Sequence, residues 1–362
     1  MNLPEYLDQI GVGTIRTIAG VGYRDGIPAR EADAGWPLGI VRRPDGDLIV
    51  ADYKANRLWR IDQESVLHTY AGDGVPGSSG DGGPARQARV HGPHDLAQDK
   101  DGNLYFSDRW NNTYRRIDYE TGVITRIAGS GDVGSGGEGG PALEAEFDNS
   151  SGVAADDEGN IYLCSPSDNN IRRIDAKTGL LSTFAGPNVS RYPSGGGAGR
   201  PDPGHLEGVS FWDPAIRLGG YHGDGGPAKA AAFYHCEHLA FDSKGDLYVC
   251  DNSNHRVRRI DMKTGTITTV LGNGQPASNG DGGPAADAST LLPDAICLDV
   301  HDNLFVGEKH GFRVRKVDGA TGIATTLVGN GVPGFGEEGL PGPETHCNSC
   351  ESGIWADPDG TV

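Results

Sequence analysis

Basic clusters, long apolar runs and helical periodicity are all missing from this 362-residue chain, and each absence closes off a class of function. Acidic residues (50 Asp and Glu) outnumber basic ones (31 Lys and Arg), and the formal net charge is -19 with the Lys and Arg spread rather than grouped. Binding a phosphate backbone needs clustered positive charge, so neither nucleic acid nor an anionic membrane is an expected partner. No apolar stretch approaches the roughly 20 residues that a membrane helix requires. Met1 to Gly20 lacks a basic start followed by an apolar segment, so no signal peptide is read there and a soluble, cytoplasmic protein is expected. Cys164, Cys236, Cys250, Cys297, Cys347 and Cys350 lie mostly in apolar strand contexts, which suits reduced thiols better than a disulfide framework. His346-Cys347-Asn348-Ser349-Cys350 holds the single Cys-x-x-Cys, a weak zinc signal because no second pair completes it. Gly-x-Ser-x-Gly elbows, phosphate loops and dinucleotide fingerprints in strand–helix context are absent too, which leaves ATP, NAD and serine-hydrolase chemistry without a scaffold.

What the chain has instead is glycine, 58 residues of it, and repetition. One unit recurs: a short apolar run, Asp-x-x-Gly-Asn/Asp-Leu-Tyr, then Asn-x-Arg-x-Arg-Arg-Ile-Asp, then Thr-Gly-x-Ile-Thr-Thr-x-x-Gly. The second copy shows it at Asp95–Tyr105, Asn112–Asp118 and Thr121–Gly129, and the fourth at His238–Tyr248, His255–Asp261 and Thr264–Gly272. Copies begin near Gly39, Asp95, Gly152, His238, Ala295 and Gly353. Each contains four short alternating segments separated by turn residues, the pattern of a four-stranded meander with strands a to d. Such a sheet cannot bury both faces alone, so copies stack around an axis. The spacing predicts an all-β, six-bladed β-propeller forming a single domain over 1–362. Its last blade is expected to close from both termini, with Gly353–Val362 supplying strand a and Gly13–Gly20 a strand d.

These motifs resemble the NHL-repeat family along nearly the whole chain. Gly-rich connectors of the GDGGPA type, Gly80–Ala85, Gly223–Ala228 and Gly280–Ala285, read as turn chemistry. The connector over 187–218 is longer and carries Arg191, His205 and Trp212, so it is a candidate lid.

Topology then constrains the site. The start of strand a, the b–c loop and the d–a connector share one face, so the residue opening strand a points into the channel mouth once per blade. Counting back five from the repeat aspartate gives Leu38, His94, Ser151, Glu237, Asp294 and Ser352. His94, Glu237 and Asp294 are expected to hold one divalent cation; a mixed His/Glu/Asp set leaves calcium, zinc and manganese open. Two enzyme families are similar here. Glu237 and the Pro293-Asp294 segment resemble the cation ligands of the senescence-marker/gluconolactonase family, in which that Asp is the general base; Asn149 approximates its Asn ligand. Pro93-His94-Asp95 resembles a zinc-histidine segment of peptidyl-α-hydroxyglycine lyase, whose b–c loop Tyr base corresponds to Tyr53. Only one of that family's three histidines is matched, and the site follows neither family fully.

The b–c loops add Tyr53, Arg109 and Lys309, with Trp110 and His310 beside them. Asp294 or Tyr53 is the expected proton carrier, Arg109 a carboxylate clamp and Lys309 an acid or charge stabiliser. Asn149, His235, Trp110 and His310 are candidate substrate contacts, while His238 is read as packing between blades. The implied activity is metal-dependent lactone hydrolysis or a lyase/dehydratase step on a small anionic or polyhydroxylated substrate. The alternative is a non-catalytic scaffold that binds a protein or carbohydrate partner.

Overall fold

The turn chemistry of the repeat appears in the structure as a series of Asx-type caps. Asp99 Oδ1 accepts from the backbone N–H groups of Asp101 (3.0 Å) and Asn103 (2.9 Å), closing the a–b turn, and Asp242 does the same for Lys244 and Asp246. At the c–d turn, Asp118 Oδ1 accepts from both the N–H and the hydroxyl of Thr121. These local bonds explain why Asp and Thr recur at fixed offsets.

The computed structural model describes residues 25–32, 35–186, 220–336, 339–348, 350, 353–357 and 361–362. Five antiparallel sheets are present among them. Blade 1 holds β2 (Pro37–Arg42), β3 (Leu48–Asp52), β4 (Arg57–Ile61) and β5 (Val66–Ala71), with a two-residue β1 (Ile27–Pro28) on its outer edge. Blade 2 is β6 (Pro93–Gln98), β7 (Leu104–Asp108), β8 (Thr113–Ile117) and β9 (Ile124–Ala128). Blade 3 is β10 (Val153–Ala155), β11 (Ile161–Ser165), β12 (Asn170–Ile174) and β13 (Leu181–Ala185). Blade 4 comprises β14 (Cys236–Phe241), β15 (Leu247–Asp251), β16 (Arg256–Ile260) and β17 (Ile267–Leu271). Blade 5 comprises β18 (Pro293–Leu298), β19 (Leu304–Glu308), β20 (Arg313–Val317) and β21 (Ala324–Val328).

The chain is therefore an all-β propeller, but with five blades among the described residues rather than the expected six. The sixth copy forms no sheet there. The Asp357 N–H to Thr361 O bond (2.8 Å) nonetheless reproduces the a–b turn bond of the five blades. Ile354 and Trp355 also line the central channel beside the first strands of all five blades, around a cavity of about 320 Å³. Gly13–Gly20, the long connector over 187–218 and Ser352 lie outside the described residues.

The core sits between blades. Val41, Ile49 and Leu58 of blade 1 pack with Leu96, Leu104 and Phe106 of blade 2, and the same interleaving repeats at the next three interfaces. Each fully buried side chain of this kind contributes roughly 1.5–3 kcal/mol. Strand c adds a buried arginine. Arg115, Arg258 and Arg315 bridge to Asp81, Asp224 and Asp281 of the GDGGPA connectors (3.0, 2.8 and 2.8 Å) and to Asp108, Asp251 and Glu308 at the end of strand b (3.4, 3.4 and 3.3 Å). The connector aspartates are thus pins for buried guanidinium groups as well as turn residues.

Candidate active site at the channel mouth

A local backbone device aims one side chain per blade into the mouth. Two residues before the ring position the chain turns left-handed, at Gly92, Asn149, His235 and Leu292 (φ 63, 68, 65 and 53°). Each of those N–H groups donates to the residue that precedes strand c of the preceding blade: Asn56, Asn112, Asn169 and His255. A left-handed His or Leu is strained, and such strain persists where surrounding bonds over-determine it. Gly92 also has a packing role. A Cβ there would lie 2.5 Å from the Trp110 ring and 3.1 Å from Tyr53, so only glycine lets both aromatic side chains close over the mouth. At Gly152 a Cβ would meet Glu237 O at 2.9 Å, so blades 3 and 4 touch backbone to backbone at that point.

Three blades converge as a result. Glu237, 3% exposed, accepts from Ser151 Oγ (2.6 Å) and from Arg109 (3.4 Å) on Oε2. Arg109 also donates to Asn149 Oδ1 (2.6 Å) and Ser151 Oγ (3.3 Å). His94 Nδ1 lies 3.4 Å from Ser151 Oγ, and His235 Nδ1 lies 3.3 Å from Glu237 Oε1. Tyr53 meets the edges of Trp36, His94 and Trp110 with ring centroids 5.6, 6.3 and 5.9 Å apart, and Lys54 lies over Trp36.

Charge follows from this packing. Burial alone would raise the Glu237 carboxyl; Arg109, then His235, His94 and Lys309, outweigh it and hold the group well below the usual carboxylate range. Burial, reinforced by Arg109, pushes the His94 imidazole well below its ordinary value, so it is neutral at physiological pH. Burial likewise lowers His235, against the pull of Glu237. The Tyr53 phenol is raised by burial and stays protonated, although Arg109 opposes the shift.

His94, Glu237, Arg109, Asn149, His235, Tyr53 and Trp110 are therefore brought together, with Lys309 acting on Glu237 and His94 electrostatically. Asp294 joins them through Asn252: it is 5% exposed, its Oδ1 accepts the Asn252 amide at 2.9 Å, and Asn252 also hydrogen-bonds His235. His310 is exposed at the rim. Among the described residues no group of three or more His, Cys, Asp and Glu side chains is gathered closely enough to hold a metal, and a guanidinium already rests on Glu237. Arg109 brings a positive charge to Glu237 at the place where the His94–Glu237–Asp294 cation set was expected.

Sequence reading missed two features. Ser151 is the hub of the network, yet as a serine in a ring of ligand-type residues it carried no signal of its own. His238 does not simply pack between blades. It reaches from blade 4 to Asp95 of blade 2 (Nε2 to Oδ1, 2.7 Å); burial opposes its charged form, but Asp95 outweighs that and raises it.

Comparison with known proteins agrees with this fold. Residues 233–260, within and around blade 4, match the NHL repeat. NHL repeat-containing protein 2 of Gallus gallus is 25% identical over 84% of this chain and 49% of its own length. The chain spans about half or less of the length of such curated relatives. An auxiliary nutrient binding protein from Bacteroides thetaiotaomicron superposes with a TM-score of 0.61 (14% identity, 95% of this chain and 71% of that one). A gluconolactonase from Xanthomonas campestris superposes with 0.52 (13% identity, 90% and 81%). At these identities the structures share the fold.

Proposed function

With the NHL repeat and the propeller in place, we propose that the channel mouth binds a small anionic or polyhydroxylated molecule and acts on it by side-chain proton transfer. The observation that carries this reading is the Arg109–Glu237–Ser151–His94 network. It gathers residues distant in sequence into one buried, charged cluster at the only end of the channel where the b–c loops converge. Burying a carboxylate and a guanidinium is costly and stabilises a fold little, which favours a functional reason for both.

In this reading Arg109 and Lys309 orient the anion. The Trp36–Tyr53–Trp110 wall excludes water on one side. His94, uncharged at neutral pH and hydrogen-bonded through Nδ1, presents Nε2 as the general base. Tyr53, held protonated, is the corresponding acid. These parts serve a lactone hydrolysis or an elimination equally, so the reaction class is hydrolase or lyase.

The test uses EDTA-treated protein and a panel of sugar-acid lactones and hydroxy acids, followed with a pH indicator for ring opening and by absorbance for a new double bond. Turnover that survives EDTA and falls at least about 100-fold in His94→Gln and in Arg109→Ala supports the reading. Turnover that appears only after a divalent cation is added, or that both variants retain, sinks it. Protein docking is the second reading, and Phe335, 91% exposed on the connector after blade 5, is the observation that favours it.

A further inference from the structure

Blade 3 departs from its neighbours in a way the mouth does not explain. In blade 2 the last residue of strand b is Asp108, and three residues later comes Asn111. The Asn111 amide donates to Asp108 Oδ2 (2.8 Å) and to the connector carbonyl Gly77 O (2.8 Å), while Asp108 accepts the His91 N–H (2.6 Å) and faces Arg115 (3.4 Å). Blade 4 repeats this with Asp251 and Asn254: the amide donates to Asp251 Oδ1 (2.8 Å) and to Gly220 O (2.7 Å), and Arg258 stands 3.4 Å away. Every polar atom of the motif has a use.

In blade 3 the pair is exchanged. Ser165 ends strand b and Asp168 takes the position of the asparagine. The amide donor is gone and a carboxylate stands in its place. Asp168 is 3% exposed and neither of its oxygens makes a close, well-aligned hydrogen bond, Ser165 and the Asp148 N–H being the nearest donors; Ser165 Oγ and Ser150 Oγ, 2% and 0% exposed by residue, likewise make none of good geometry. The local arginine compensates only through space: it draws the Asp168 carboxyl down electrostatically without forming a close ion pair with it. Arg172 directs its guanidinium to Glu146 O (2.9 Å) and Gly136 O (2.7 Å) and, unlike Arg115, Arg258 and Arg315, bridges no carboxylate among the described residues. Asp148, 1% exposed, adds a second negative charge acting on Asp168, and the Tyr114 phenol beside both serines gives its own proton to Cys164 O (2.6 Å).

A buried carboxylate needs a counter-charge, and a pocket of carboxylate and hydroxyl oxygens matches a hard cation. We propose that blade 3 carries a calcium site formed by the Asp168 carboxylate with Ser165 Oγ and Ser150 Oγ, in the negative potential of Asp148. The site is distinct from the mouth, although its Ser150 lies between Asn149 and Ser151, the residues that hold Arg109.

The experiment compares EDTA-treated wild type with the double exchange Ser165→Asp/Asp168→Asn, which restores the pairing of blades 2 and 4 and is therefore expected to fold. Thermal melts are recorded with added calcium, magnesium or sodium. At a calcium concentration about 100 times its Kd, the wild-type midpoint rises by about 3–4 °C and the double variant does not move. Glu237→Gln keeps the calcium response, which separates this site from the mouth. No shift in the wild type, an equal shift in the double variant, or an equal shift with magnesium or sodium overturns the proposal. So does a wild-type melt that answers to pH alone, since a proton would then be neutralising Asp168.

Discussion

Removing the Arg109 guanidinium leaves Glu237 without its nearest full positive charge in a position that is 3% exposed. Taking one partner from a buried ion pair costs about 3–5 kcal/mol. The lower figure is expected here because His235 and Lys309 still face the carboxylate. For a chain of this length about 3 kcal/mol corresponds to a melting shift of about 4 °C. The pH dependence is the sharper readout. Glu237 has a depressed folded pKa, so its contribution is present above the unfolded carboxyl value and is lost as pH falls through the folded one. Urea midpoints measured from pH 7 down to pH 3 should therefore fall steeply in the wild type and less steeply in Arg109→Ala. Arg109→Lys restores charge without the bonds to Asn149 and Ser151 and should recover only part of the difference. A variant within about 0.5 kcal/mol of wild type, with an unchanged pH profile, would refute the claim that this pair organises the mouth.

Other outcomes follow from the same geometry. His94 is held neutral in the fold, so the unfolded chain takes up the proton first; its contribution is full above pH 6.5 and declines as pH drops below that value, and His94→Gln should remove this segment of the stability curve. Gly92→Ala combines a φ of 63° with a 2.5 Å approach to Trp110, so a loss of about 1–3 kcal/mol and a shift in tryptophan emission are expected, whereas an unperturbed spectrum would argue against the aromatic wall. Arg258→Met strands Asp251, which is 0% exposed, and should cost about 3–5 kcal/mol in a denaturant titration; Arg258→Met/Asp251→Leu should regain most of it.

The repeat arithmetic located the blades because turn chemistry is local. Asp99, Asp118 and Asp242 cap turns built from residues two to four positions away, and that spacing is visible along the chain. Ring positions were also legible, since counting within a strand placed His94, Ser151, Glu237 and Asp294 in register. What these residues do to one another was not. Arg109 reads in the sequence as a substrate clamp alone; that it also pairs with Glu237, 128 residues away, needs the structure. His238 reads as packing until Asp95 is found across the channel from it. The blade count failed for a different reason. Gly353–Val362 carries the repeat's opening motif, and among the described residues that motif forms no sheet of its own.

A crystal structure of the protein soaked in calcium, manganese or zinc tests the central claim most directly. It should show Arg109 still seated on Glu237, with no ion between His94, Glu237 and Asp294. An ion bound by those three side chains, with Arg109 displaced, would contradict it.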